Sequence, residues 1–221
     1  MSKSSRAPFD SADLILQYRR AFIEHGDTPA AVLSPRGRQN LRFDALTRHF
    51  RGREFSVLDY GCGLGHLKTY LDQYSCNYKY YGVDLVPEFV VAVQIKFPTA
   101  QIQLVDTFTD VRTSVDHVVA SGVFNLFQGS DKEAYVLYVH AALMHLFSLA
   151  RVSLSINFMT DRVDFMQPQA LHMNVEDITQ FMRSNLSPRL AVDESYMPYE
   201  FTLVVFKDAE IVRPDNIYRA L

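Results

Sequence analysis

Residues 57–65 of this chain read Val-Leu-Asp-Tyr-Gly-Cys-Gly-Leu-Gly, and few stretches restrict a backbone as strongly. Val57 and Leu58 end a short apolar β run. Gly61, Gly63 and Gly65 then let the chain turn sharply and bring bare backbone against a ligand, where a Cβ would collide. From Leu64 to Tyr74 the spacing becomes helical, with Leu64, Leu67 and Leu71 on one face, so the glycine turn sits between a strand and a helix. A strand, glycine turn and helix in that order belong to a doubly wound α/β sheet and mark its ligand crevice.

The ligand class follows from what the loop lacks. A dinucleotide-binding loop needs a third glycine at the end of G-x-G-x-x-G, but that position is His66 counted from Gly61 and Lys68 counted from Gly63. The G-K-[ST] ending of a P-loop is absent too. Asp59, two residues before the first glycine, suits a ligand with a cationic ammonium better than one with phosphates, and the net charge of −3 points the same way. Tyr80-Tyr81-Gly82-Val83-Asp84-Leu85 is an alternating β run that ends in a carboxylate. In a doubly wound sheet that position lies beside the glycine loop, so Asp84, followed by Leu85, is expected to accept both hydroxyls of a ribose. Asp106, with Thr107 after it, closes the β run 101–105 and is a candidate acceptor for an adenine amino group.

Taken in order, VLDYGCGLG, YYGVDL, LVD and DHVVASGVFNL resemble the successive motifs of bacterial class I S-adenosylmethionine-dependent methyltransferases of about this length. The likeness covers nearly the whole chain, through His25-Gly26-Asp27-Thr28-Pro29-Ala30, Ala31-Val32, Gln39, Arg42-Phe43, Asn157-Phe158, Val163-Asp164-Phe165 and Tyr199-Glu200-Phe201-Thr202. The resemblance implies a Rossmann-like α/β fold and S-adenosylmethionine as cofactor. Where this sequence has Arg162, relatives commonly carry Tyr, a departure beside the expected substrate pocket that bears on the acceptor and not on the cofactor.

Length and composition agree with one domain over 1–221, a helical lid in 1–50 and a catalytic core in 51–210; a hydrophobic share of 48% supports a sizeable core. No apolar run is long enough to span a bilayer, and Met1-Ser2-Lys3-Ser4-Ser5-Arg6 leads into a polar helix, so a cytoplasmic, soluble protein is expected. The two cysteines form no disulfide framework, and Cys62 reads as a small packing residue. Periodicity predicts helices at 11–25 and 38–49, then strands near 56–60, 78–84, 101–105, 115–121, 152–158, 190–196 and 200–206. Helices are expected between the first five strands and before the last two. The result is a seven-stranded, mostly parallel sheet closed by an antiparallel hairpin around Met197-Pro198-Tyr199. The tail 211–221 is expected to be loosely held.

Ligands in such sheets bind outside the carboxyl ends of the strands, at the topological switch point. Ser121 and Gly122 should therefore run under the methionine part of the cofactor, while Phe124 and Asn125 face the pocket and Thr160-Asp161-Arg162-Val163-Asp164-Phe165 line its other wall. The lid helices should bring Tyr18, Gln39 and Arg42 over the site, Arg42 turned toward a carboxylate of cofactor or substrate. Methyl transfer is an in-line displacement for which alignment matters most and a base is optional. Asn125, Arg162, Asp164 and Tyr18 are the expected catalytic group, with Asp164, His172 and Tyr18 as candidate bases.

No metal is expected: His140 and His145 are five apart, on different helical faces, and no C-x-x-C or H-E-x-x-H occurs. Arg36, Arg38, Arg42, Arg48, Arg51 and Arg53 form a local basic cluster, read as a solvated helix face in a chain without an overall basic balance. Ser-Gly-Val-Phe-Asn also stands where base-modifying enzymes carry an Asn/Asp-Pro-Pro-aromatic clamp. The expected partner is thus a small molecule, carboxylate- or phosphate-bearing if Arg42 and Arg162 face it, with neither nucleic acid nor membrane. Three readings stay open: methyl transfer to a small molecule, cyclisation of S-adenosylmethionine to azetidine-2-carboxylate with release of methylthioadenosine, as some relatives perform, and cofactor binding without turnover.

Overall fold

Two helices, α1 (Ser11–His25) and α2 (Gln39–Thr47), precede the sheet and are joined through a 3-10 turn at Pro29–Val32. The computed structural model describes residues 11–34, 37–75, 77–127 and 131–208. The N-terminal hexapeptide, Arg36 and the tail 211–221, on which expectations were placed, lie outside the described residues. The core then runs β1 (Phe55–Tyr60), α3 (His66–Leu71), β2 (Tyr78–Asp84), α4 (Pro87–Lys96), β3 (Gln101–Leu104), β4 (Val115–Ala120), α5 (Lys132–Leu149), β5 (Ala150–Thr160), β6 (His172–Met173), α6 (Val175–Asn185), β7 (Leu190–Asp193) and β8 (Glu200–Phe206). Among the described residues no helix is long and apolar enough to cross a membrane.

The strand order is β3-β2-β1-β4-β5-β8-β7, with β6 paired to β5. β8 runs antiparallel between β5 and β7, which is the expected closing hairpin. β1 pairs with β2 on one side (Asp59 opposite Gly82) and with β4 on the other (Asp59 opposite Val119), so the chain leaves β1 where the sheet's order reverses. That geometry brings the glycine turn, the end of β2 and the end of β4 to one crevice.

Three expectations are corrected. The sheet has eight strands, not seven, because β6 is a two-residue strand with no room to show a period. The β3–β4 connection holds only a 3-10 turn, Phe108–Asp110, where a helix was expected; the run 105–114 is at the lower limit for a crossover that carries one. Helix α3 is shorter than the 64–74 spacing suggested, because its N-cap Gly65 is left-handed, at φ +71°.

Every residue of β1 is buried, as a central strand covered on both faces requires. Its alternation feeds two cores. Leu58 joins Val118, Leu154, Ile156 and Phe201 beneath α5 and α6, while Val57 joins Val119, Leu67, Leu71, Phe43 and Phe50 beneath α2 and α3. A third cluster docks the lid: Phe89 of α4, 2% exposed, takes edge-on rings from Tyr18 and Phe22 of α1. Each such pair adds about 0.5–1.5 kcal/mol beyond its buried area.

Candidate active site

Gly61, Gly63 and Gly65 have φ of +73°, +53° and +71°, the left-handed region in which an L side chain is strained by about 1–2 kcal/mol. The N–H groups of Gly61 and Cys62 both donate to the Val83 carbonyl, at 2.9 and 3.0 Å, and so tie the turn to β2. A Cβ on Gly61 would stand 2.6 Å from Val123, one on Gly63 2.9 Å from Val32 of the lid, and one on Gly65 2.9 Å from Phe97. The protein's own side chains therefore already exclude a Cβ at each of the three positions, and Gly61 and Gly63 also line the cavity.

Two buried carboxylates flank the turn. Asp84 accepts the Gly63 N–H at 2.7 Å on one oxygen and the Val86 N–H at 2.9 Å on the other. A carboxylate offers about four lone-pair sites, so both oxygens keep one for a pair of hydroxyls. Burial raises the Asp84 carboxyl, opposed by those backbone donors. Asp59, 2% exposed, accepts among the described residues only the Tyr80 hydroxyl, at 2.6 Å, and burial pushes its carboxyl up to about 7. Beside the turn, Lys68 binds Asp72 at 3.0 Å, while the His66 ring meets Asp27 at 2.9 Å and Gln39 at 3.1 Å. An acidic floor under a glycine turn fits a cationic sulfonium–ammonium ligand with a ribose better than one that places phosphates against the turn.

The lid reaches this floor through Arg42, 7% exposed. Its Nε donates to Glu200 Oε2 at 2.8 Å and its Nη2 to Glu200 Oε1. Glu200 also accepts Asn157 Nδ2 at 2.9 Å, and Asn157 Oδ1 accepts the Gly122 N–H at 2.7 Å. Here the sequence reading is corrected: the Arg42 fork is held by Glu200, although its Nη1 still faces the Gly122 backbone. Glu200 and Asn157, noted before only for family likeness, thus join α2, β8, β5 and the end of β4 in one buried chain. No spacing could have signalled a pair 158 residues apart.

A cavity of about 430 Å³ runs over these groups. Tyr18, Gln39, Arg42, Asp59, Gly61, Gly63, Asp84, Leu85, Ser121, Gly122, Asn125 and Asp164 line it together. Gly65 supports the turn from behind. Asp106 and Thr107 are corrected, because neither lines the cavity. Asp106 is exposed and its N–H donates to Asp110 at 3.2 Å, while Thr107 caps the 3-10 turn. Arg162 is corrected as well: its N–H donates to Thr160 Oγ1 at 3.2 Å, turning the chain outward, and its guanidinium is ion-paired to Glu194 (3.0 Å) and Glu176 on the surface.

The candidate bases separate. Burial pushes the Tyr18 phenol well up, which keeps it neutral. His172 lines the cavity, but its Nε2 accepts the Gln167 N–H at 3.1 Å and its Nδ1 faces the Thr160 carbonyl at 2.7 Å, so the ring has no free nitrogen. Asp164 is the exposed carboxylate at the far end. Asn125 accepts the Met159 N–H at 3.2 Å, which orients its amide across the far end. Burial raises the Cys62 thiol, as suits a packing residue. Among the described residues no three His, Cys, Asp or Glu side chains are placed to hold a metal ion.

A glycine turn after β1, a carboxylate at the end of β2 and an antiparallel β8 between β5 and β7 define the class I methyltransferase fold. Residues 58–143 match the methyltransferase domain family. The Mycobacterium tuberculosis protein Rv1506c, which carries the provisional name of a methyltransferase, is 29% identical over 155 residues, covering 69% of this chain and 93% of its own. Magnesium protoporphyrin IX methyltransferase from Synechocystis PCC 6803, solved with bound SAH, shares the fold at a TM-score of 0.63 and 18% identity, over 89% of this chain and 95% of its own. Human N-acetylserotonin methyltransferase does so at a TM-score of 0.58 and 13% identity, over 76% and 51%. The chain has the class I methyltransferase fold and carries a methyltransferase domain in residues 58–143, and its cofactor is S-adenosylmethionine.

Proposed function

We propose that the protein methylates a small-molecule acceptor. The observation that carries this is the continuity of the cavity from Asp84, past Gly122, to a far end walled by Leu126, Met159, Val163 and Phe165, with Asn125 and Asp164 among them. Pockets that take small ligands are mostly apolar with a few placed polar groups, as here. Two proteins of the same fold, the magnesium protoporphyrin IX and N-acetylserotonin methyltransferases, are by name enzymes of small molecules.

In this reading Asp84 holds the ribose hydroxyls and Asp59 meets the amino group. Ser121 and Gly122 support the methionine chain, with the Gly122 N–H held by Asn157 and, through Glu200, by Arg42. The bound cofactor supplies a methyl group on a good leaving group, so the protein's main task is alignment and exclusion of water. Tyr18, packed on Phe89, covers the donor from the lid. Asn125 hydrogen-bonds the acceptor, and Asp164 takes a proton where the acceptor has one to lose.

The test is to incubate the purified protein with S-adenosylmethionine, alone and with a panel of small carboxylates, amines and phenols, and to follow products by mass spectrometry. S-adenosylhomocysteine should form only when an acceptor is present. Methylthioadenosine with azetidine-2-carboxylate from the cofactor alone would replace methyl transfer with cyclisation. Bound but unchanged cofactor across the whole panel would count against turnover.

A further inference from the structure

We infer that the acceptor carries a carboxylate on a flat, apolar body, and that Arg38 is the residue that binds it. The inference deepens the proposed methyl transfer and rests on it. Arg38 is the N-cap of α2, partly buried, and lines the cavity. Its guanidinium lies 5.9 Å over the Tyr199 ring, and among the described residues it takes part in no ion pair or hydrogen bond.

Its neighbours make that unusual. Arg42 is held by Glu200, Arg48 by Asp44 and Asp193 at 3.1 Å, Arg51 by Asp44 at 2.7 Å, and Arg162 by Glu194 and Glu176. Glu200, next to Tyr199 in the chain, already serves Arg42 and Asn157, so it does not neutralise Arg38. A guanidinium has five donors and no acceptor, and a carboxylate satisfies it with two parallel bonds. A partly desolvated, unpaired guanidinium at a cavity wall therefore selects for an anionic ligand atom.

The rest of the wall sets the ligand's other properties. Leu126, Met159 and Val163 are apolar, and the rings of Phe165 (71% exposed) and Tyr199 (45% exposed) stand at the same cavity with much of their surface uncovered. Aromatic surfaces of that kind favour a planar partner. Asp164, a second charge on this wall, opposes a dianion, so a carboxylate fits better than a phosphate. Arg42 and Arg162, the arginines that first suggested an anionic acceptor, are both engaged within the protein, and the role passes to Arg38.

The test uses the wild-type chain, Arg38→Gln, Arg38→Lys and, as a control with its charge already paired on the surface, Arg162→Gln. Each is saturated with S-adenosylhomocysteine and titrated with benzoate, hydroxybenzoates and indole carboxylates, each beside its neutral amide, by ligand-observed NMR. Wild-type protein should bind at least one carboxylate about tenfold or more tightly than the matching amide, the effect of one charged hydrogen-bonded contact. Arg38→Gln should bring the ratio to about twofold or less, Arg38→Lys should fall between, and Arg162→Gln should keep it. Melting temperature and S-adenosylhomocysteine affinity should be unchanged in all three variants. A preference that survives in Arg38→Gln, or no carboxylate preference in the wild type, overturns the inference. Failure of the methyltransferase reading would show separately, as wild-type protein that binds no S-adenosylhomocysteine.

Discussion

Asp59 and Asp84 stand on one cavity floor but meet it differently. Asp84 is compensated by two backbone N–H groups, whereas Asp59 has among the described residues only the Tyr80 phenol, and its carboxyl is pushed up to about 7 by burial. An ammonium such as the amino group of S-adenosylhomocysteine is bound best by the ionised form, so below pH 7 binding has to displace a proton. The affinity for S-adenosylhomocysteine should therefore rise by up to about tenfold per pH unit from pH 5.5 and level off above about 7. Calorimetric titration across that range checks this, and Asp59→Asn should flatten the curve. An equally steep curve in the variant would assign the proton to another group. At this scale the sequence read well wherever a role follows from the local chain: a glycine turn and a carboxylate that ends a strand are positions in a pattern. Arg162 failed because the direction of a side chain depends on which neighbours compete for it, here Glu194 and Glu176, and Asp106 because the chain after β3 enters a 3-10 turn that leaves it exposed, outside the cavity lining.

Among elements, the attachment of the lid matters most. Helix α1 is held by Phe89 and by Arg19 on Glu88 at 2.6 Å, and the loop after it by Asp27, which bridges His66 and Lys96 at 2.9 Å each. Helix α2 is held by the buried Arg42–Glu200 pair. The surface pairs contribute little each, about 0–1 kcal/mol. Breaking the buried one should cost far more, because it strands a charge: Arg42→Ala should lose roughly 3–5 kcal/mol of unfolding free energy in urea. Arg42→Met combined with Glu200→Leu should recover most of that loss, since no charge is then left buried. A loss below about 1 kcal/mol in Arg42→Ala would mean that water reaches Glu200. Most elements were legible from periodicity, including the closing hairpin, although α3 and β7 end short of the expected 74 and 196. The two-residue β6 and the helix-free β3–β4 connection were not, because so short a run carries no period.

For the whole molecule, a polar cluster in the sheet sets the acid limit, away from the cavity. Ser153 Oγ lies 2.9 Å from His49 Nε2 and 2.8 Å from His117 Nδ1, and Phe50 stacks on His117 at 4.1 Å. Burial holds both imidazoles down, at about 4. In the unfolded chain a histidine titrates near 6.5, so between those values the unfolded state binds protons that the native state does not. Stability should then be level above about pH 7 and fall as the pH drops from about 6.5 toward 4, by roughly 3 kcal/mol for the buried His117. Urea unfolding at pH 7.5, 6 and 5 measures the slope, and a midpoint that holds from 7.5 to 5 would exclude ionisation of this cluster as the cause of acid unfolding.

The amino-acid sequence by itself determined the order of strands and helices, the position of the glycine turn and the acidic character of its ligand site. These depend on periodicity, on φ > 0 at glycine and on the place of a carboxylate relative to a strand end, all local properties of a chain. Only the tertiary structure decided which charges are neutralised. Arg42 meets Glu200 across 158 residues, Arg162 turns outward to Glu176 and Glu194, and Arg38 keeps its charge for the cavity. A charge pairs with whatever acid the fold brings within a few ångströms, and that distance is not written in any one segment of the chain.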